Sequence, residues 1–243
     1  MRVEQAIFTS ARTRRMCGYH LVARSAGIDD ELAGQLSRWS PSHASLLSSG
    51  LDATSLSFFP LDRGWVAISR SVYGGPEYSQ RGGLQVVTLI FALRRDQLAG
   101  YDDNPLVLAH TAYTLGHLRL MAEIVERLPV AEIPDRAPLS MASLQPSIPT
   151  QAAVVEEVVG MVRQQRRVAL IGVSEPLAVL GQLICRMPKT ERLELSFTTG
   201  LKPSVDRPFQ LHFLPSADAA SRRQLASLGM ECVSGCEQAS HGG

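Results

Sequence analysis

Long apolar runs are missing from this 243-residue chain. Spanning a bilayer as a helix takes roughly 18 or more consecutive apolar residues, so no membrane insertion is expected. The first residues, Met1-Arg2-Val3-Glu4-Gln5, lack the apolar core and small-residue cleavage site of a signal peptide, which places the expected location in the cytoplasm. Cysteine is sparse. Cys17, Cys185, Cys232 and Cys236 are too few for a disulfide framework in a chain of this length, and Cys232 and Cys236 stand four apart, off the CxxC spacing of zinc and redox sites. They read as reduced thiols. A surplus of charge is lacking too: 24 basic and 23 acidic residues leave a formal charge of +1, without the excess that draws a chain to nucleic acid. The local basic groups, Arg12, Arg14 and Arg15 and then Arg163, Arg166 and Arg167, read as solvated turns or helix ends rather than phosphate sites. With 45% hydrophobic and only 19% charged residues, the chain has material for a sizeable core and is not of a disordered type.

Catalytic signatures are absent in the same way. The six histidines, His20, His43, His110, His117, His212 and His241, form no HExxH pair and no cluster with cysteine, so no metal is expected. His110 and His117, seven apart, read as two polar positions on one helix. No GxSxG elbow occurs. The glycine-rich stretch at 74–83 has no Lys-Ser/Thr after it and leads into a strand, unlike a P-loop, and GxGxxG is missing; no cofactor is expected. Cys17 lies near Arg14 and Arg15, which would favour its thiolate, and His20 is a conceivable base, but a nucleophile requires the two to be placed together. The carboxylate pairs Asp102/Asp103 and Glu156/Glu157 read as structural.

What is present is an alternation of elements. Residues 3–9 and 19–22 read as a strand pair around a basic turn. Asp29 and Asp30 open a helix whose Leu32, Leu36 and Trp39 share one face, and Pro41 closes it. Strands at 55–61 and 65–73 flank the turn Asp62-Arg63-Gly64. Residues 84–93, almost wholly apolar, read as a central strand buried on both faces. A helical turn at 96–99 and a helical pattern over 106–128 follow, with Gly116 as a break point. Residues 129–149 hold five prolines, which exclude a long helix or central strand and mark a linker. Beyond it come a helix face from Val154 to Val162, a strand at 167–173, a helix at 175–187, strands at 193–198 and 209–213, a helix at 218–228 and a polar tail. The fold class is α/β: an α+β part over 1–128 with a largely antiparallel sheet, the linker, a small α/β unit over 150–233, and a tail over 234–243.

Several stretches carry a resemblance. Glu4-Gln5-Ala6-Ile7-Phe8-Thr9-Ser10 leads through the basic turn to Gly18-Tyr19-His20-Leu21-Val22-Ala23-Arg24-Ser25. Leu36-Ser37-Arg38-Trp39-Ser40-Pro41-Ser42-His43 follows, then Ser69-Arg70-Ser71-Val72-Tyr73 and Tyr78-Ser79-Gln80-Arg81-Gly82-Gly83. Over residues 3–110 this resembles the N-terminal domain of bacterial GTPase-associated proteins. The second part is similar, more loosely, to that family's middle domain through Met187-Pro188 and Leu195-Ser196-Phe197-Thr198-Thr199. Residues 84–93 depart from the pattern, being apolar where the family suggests a more polar strand. The resemblance implies a non-catalytic adaptor whose partner is a small GTPase or another component of a bacterial conflict or defence system. It supplies no catalytic residues. Arg70, Tyr73, Tyr78 and Arg81, at one end of the predicted hairpin, are the expected partner-binding residues, since Tyr and Arg are favoured at binding hot spots; the two arginines could also merely brace the loop through Glu77 or backbone carbonyls. Two other readings stay open: an enzyme using Cys17 and His20 or the glycine loop, and a structural subunit of a larger assembly.

Overall fold

The computed structural model describes residues 1–13, 16–77, 83–121, 123–138 and 152–235. It is a mixed α/β fold in which one twisted sheet, antiparallel in its larger part, runs through both parts of the chain. The strands are β1 (Arg2–Arg12), β2 (Cys17–Arg24), β3 (Thr54–Pro60), β4 (Trp65–Pro76), β5 (Leu84–Arg94), β6 (Ala131–Glu132), β7 (Arg167–Ile171), β8 (Phe197–Thr198), β9 (Leu211–Leu214) and β10 (Met230–Ser234). Their order is β10-β7-β9-β8-β3-β4-β5-β1-β2, with β6 pairing β1. Strands β7–β10 are mutually parallel, and the antiparallel pair β3–β8 joins them to the rest.

Five helices cover the sheet: α1 (Asp30–Trp39), α2 (Pro105–Thr114), α3 (Ala152–Arg163), α4 (Pro176–Arg186) and α5 (Ala219–Ser227). Side chains alternate faces along a strand, and the core divides accordingly. Val87, Leu89, Phe91 and Leu93 of β5 join the cluster built with α2, α3 and α4; Val86, Ile90 and Ala92 join the one built with α1. Ala169, Ile171, Leu225 and Met230 form a smaller core under α5. The result is three layers, with α2, α3 and α4 on one side and α1 and α5 on the other. This is why residues 84–93 are almost wholly apolar: β5 is flanked by β4 and β1 and buried on both faces.

Local signals explain the helix boundaries. The Asp29 carboxylate accepts from the Leu32 backbone N–H at 2.8 Å, Asp30 and Glu31 occupy the first turn, and the Ser40 cap precedes Pro41. Leu32 and Leu36 are buried, each adding about 1.5–3 kcal/mol by leaving water, and Trp39 stacks on Phe59 at 4.8 Å.

Three expectations need correction. The helix predicted over 106–128 ends at Thr114. The His117 N–H bonds back to Ala112 O at 2.9 Å and Gly116 takes φ +89°, a helix stop that a side chain would strain. The strand predicted over 193–198 is strand only at Phe197–Thr198; a 3-10 turn at Lys189–Glu191 and further turns precede it. Strand β10 was not anticipated. The proline-rich segment also carries order, because β6 pairs Arg2 and Val3 of β1, and the Met1 amino group bonds Ile133 O and pairs with Asp135. Residues 139–151 and 236–243, most of the expected linker and tail, lie outside the described residues.

A row of buried hydroxyls crosses the seam between the two parts, on the α1 side of the sheet. Ser71 of β4 meets Thr88 of β5 at 2.9 Å. Thr198 of β8 takes hydrogen bonds with Ser55 at 2.9 Å and Ser57 at 2.8 Å, both on β3. On the other face Phe58 and Phe197 meet with ring centroids 5.9 Å apart. At the surface Arg192 bonds the carbonyl and carboxylate of Asp102, and Arg95 bonds Leu193 O and Glu194.

Candidate partner-binding surface

Of the four residues expected to bind a partner, the two that are described, Arg70 and Tyr73, do not lie together. Arg70 and Tyr73 lie on opposite faces of β4. Arg70, half-buried on the α2 side, donates to Leu118 O at 3.1 Å. Tyr73 is buried on the α1 side and its hydroxyl donates to Ser48 O at 3.2 Å. Tyr78 and Arg81 lie outside the described residues, as do Arg14 and Arg15. Glu77 accepts from Ser10 at 2.9 Å and stands 3.6 Å from His43, so Arg70 does not brace the glycine loop through it.

The structure places around Arg70 a surface that sequence periodicity did not reveal. Once α2 stops, the chain turns through Gly116 and through Leu118, at φ +53°, whose side chain folds back into the core. It returns to the sheet edge where Arg24 N–H bonds Glu126 O and Leu128 N–H bonds Arg24 O, each at 3.1 Å. Between these anchors the segment is irregular and its apolar side chains stay in water. Tyr113, Leu115, Leu120, Met121, Ile124 and Val125 are 42–51% exposed, and they make up six of the ten large exposed hydrophobics among the described residues. Scattered exposed apolar residues are ordinary, but a contiguous patch marks a surface for another molecule. Two cations frame it: Arg70 lies over the Tyr113 ring at 5.1 Å and Arg119 at 4.7 Å, so the ring is held by cation–π contacts. Leu115, Leu118, Met121 and Val125 stand at helical spacing but form no helix face; Leu118 serves the core and the others the surface.

The other sequence candidates fall elsewhere. Cys17 is exposed, whereas His20 is buried, with Nδ1 2.8 Å from Gly18 O; three apart on one strand, the two face opposite ways. Asp102 pairs with Lys189 at 3.0 Å and Arg192 at 2.7 Å, whose hydrogen bonds hold its carboxyl below the ordinary 3.8. Glu156 pairs with Arg186. His117, beyond the helix, packs its ring 5.5 Å from that of Phe91. A cleft of about 510 Å³ opens between the end of α3 and residues 187–195, but its polar groups are occupied, Arg163 by Glu191 at 2.7 Å and the Gln210 amide by Val162 O at 2.7 Å. Among the described residues no group of three or more His, Cys, Asp or Glu side chains could hold a metal, and no helix is long and apolar enough to cross a membrane.

Fold and surface together define a mixed α/β protein that presents an apolar, arginine-framed arm beside a covered sheet. The family model for GTPase-associated protein 1, N-terminal domain type 2, matches residues 2–131, and the chain belongs to that family. The match runs from the start of β1 into β6 and so takes in the whole arm. No curated protein and no solved structure matches the chain.

Proposed function

We propose that this chain is a non-catalytic adaptor of the cytoplasm that binds a GTPase-related partner protein, within a bacterial defence or conflict system, through the surface formed by residues 113–121 and 123–125 with Arg70. The observation that carries this reading is the concentration of six exposed apolar side chains in one short arm that is tied to the sheet at both ends. Family membership supports the choice of a GTPase-related partner. The chemistry is that of a protein interface: an aromatic and aliphatic centre, a rim of arginines, and a segment anchored at both ends.

The test is binding of the full chain to a small GTPase encoded beside it, loaded with GDP or with a non-hydrolysable GTP analogue. Leu120→Ser combined with Met121→Ser should weaken binding roughly tenfold or more, since the central apolar anchors of an interface carry most of its energy. Because both side chains are exposed, the melting temperature should hold. Full-strength binding by the double variant would remove the arm from the interface. Binding in neither nucleotide state would remove the adaptor role, and equal binding in both would favour a constitutive structural subunit.

A further inference from the structure

Away from the arm, on the face covered by α1 and α5, three side chains bring buried nitrogens without partners to one place. His212 of β9 is wholly buried; the Leu201 backbone acts on its ring, but neither ring nitrogen has a partner within hydrogen-bonding geometry. Its neighbours in register are Thr198 on β8 and Ala169 on β7. Two residues before Ala169, on the same face, stands Arg167. Its Nε donates to Phe209 O at 3.3 Å and its Nη1 to Leu228 O at 2.8 Å, but its Nη2 is buried and unpaired. Arg207, from the connection before β9, reaches Ser45 Oγ at 3.4 Å through Nη2, and its Nε is buried and unpaired. Both guanidinium groups act electrostatically on the imidazole, and the Phe209 ring stands edge-on to it at 5.8 Å.

Burying cations without a counter-charge is among the costliest arrangements a fold can hold. Elsewhere Arg163, Arg166, Arg186 and Arg192 each meet a carboxylate. Arg167 and Arg207 make no ion pair among the described residues, and Asp206, adjacent in the chain, acts on Arg207 only at longer range. From the sequence Arg167 opens the strand expected at 167–173 and belongs to a basic group read as a solvated turn or helix end; it does open β7, but its side chain turns inward. Two inward cations and a neutral imidazole with a free N–H call for an oxyanion that accepts from all three.

We propose that Arg167, Arg207 and His212 form a binding site for a phosphoryl oxyanion, which accepts from Arg167 Nη2, Arg207 Nε and a ring N–H of His212. Charge selects the class. A phosphoryl group near neutral pH carries about −1.5 to −2 and offsets both guanidinium groups, whereas a carboxylate offsets one. Access is from the side of the 202–208 connection, where Arg207 is only half-buried and Val205 is 75% exposed. The site is independent of the GTPase-binding surface and stands or falls separately.

The experiment is a titration of the full chain with inorganic phosphate, and in a second arm with a nucleoside 5′-monophosphate, at ionic strength held constant with sodium chloride. Heat is read by calorimetry and the His212 ring by nitrogen NMR on histidine-labelled protein. One saturable site is expected, with the His212 signals moving at the same midpoint. Tighter binding of the nucleotide assigns the site to a phosphomonoester, and equal binding assigns it to the free ion. Arg207→Gln, in a surface connection, should lose roughly tenfold or more in affinity while keeping or raising the melting temperature measured without phosphate. No saturable response to either compound at millimolar concentration would overturn the site. Undiminished binding by a folded Arg207→Gln protein, or saturation without movement of the His212 signals, would do the same.

Discussion

The antiparallel and parallel parts of the sheet are built by different means. Strands β1–β5 are 7–12 residues long, and most follow their neighbours through hairpins or short connections. None of β7–β10 exceeds five residues, and each of these strands depends on covering helices and on partners brought by longer connections. The long strands can hold a register by themselves; the short ones borrow it, through β8, from β3. Two residues of pairing would be a weak joint in isolation. It is the buried Phe58–Phe197 contact and the Thr198 hydroxyl network that make it a seam.

Removing the aromatic contact breaks the comparison most directly. Phe197→Ala deletes a ring that is 1% exposed and should lose about 3–5 kcal/mol. Trp65 reports on the antiparallel part and is followed in a Trp39→Phe background, because Trp39 also meets Phe209 of the second part edge-on at 4.9 Å, while far-UV circular dichroism also reports α3 to α5. In urea the two signals should fall together at a lower midpoint. A fluorescence transition that stays in place while the dichroism transition moves would show that the parts unfold independently.

The hydroxyl row gives a smaller effect. Thr198→Val keeps shape but leaves the Ser55 and Ser57 hydroxyls facing a methyl group, at a cost of about 1–3 kcal/mol. Adding Ser57→Ala should recover part of that loss. A double variant no more stable than the single one would mean that the serines find other partners.

Acid should act on the parallel part first. Burial, reinforced by Arg167 and Arg207 and opposed by the Leu201 backbone, holds His212 down to about 3 from the ordinary 6.5. The unfolded chain therefore takes up this proton before the folded one does. The stability is fully present above 6.5 and falls by about 1.4 kcal/mol per pH unit as the pH drops toward about 3. In phosphate-free buffer, His212→Gln should flatten the decline of the melting temperature over that window, and an unchanged slope would place the acid sensitivity elsewhere.

The smallest effect belongs to the surface pair across the seam. Asp102 is 57% exposed, so its partnership with Arg192 and Lys189 contributes at most about 0.5 kcal/mol. Its pairing lowers the folded-state value, so this contribution is present above the ordinary 3.8 and disappears as the pH falls through the lower folded value. Asp102→Asn should melt slightly below wild type at neutral pH and coincide with it in strong acid. A gap that persists in acid would assign the loss to something other than charge.

The same contrast decides what could be read from the sequence. Residues 84–93 were legible because a strand covered on both faces is apolar at nearly every position. Helix α1 was legible because its cap and its stripe are local. Residues 193–198 misled because Leu193, Leu195 and Phe197 are all buried, yet only the last lies in a ladder; alternation reported burial and not pairing. Strand β10 is an edge with Glu231, Cys232 and Ser234 among its five residues, too polar to stand out. Of the expected binding residues, Arg70 does adjoin an exposed surface, but that surface comes from a helix that stops early, which no period shows. Arg167, Arg207 and His212 were hidden further. His212 alternates with Leu211 and Phe213, a pattern that suggests a solvent-facing position, and only the helix layer on the second face turns it into an interior one.

The outer edge of β3 has a practical consequence. The family-matched stretch ends at residue 131, before every strand that shields this edge. Cut out on its own, that stretch would offer its neighbours a bare ladder beside the uncovered ring of Phe58, a template on which identical copies could add. Whoever expresses it as a fragment should expect exchange of strands between molecules or precipitation, and would do better to carry the chain through β10 so that the edge arrives already occupied.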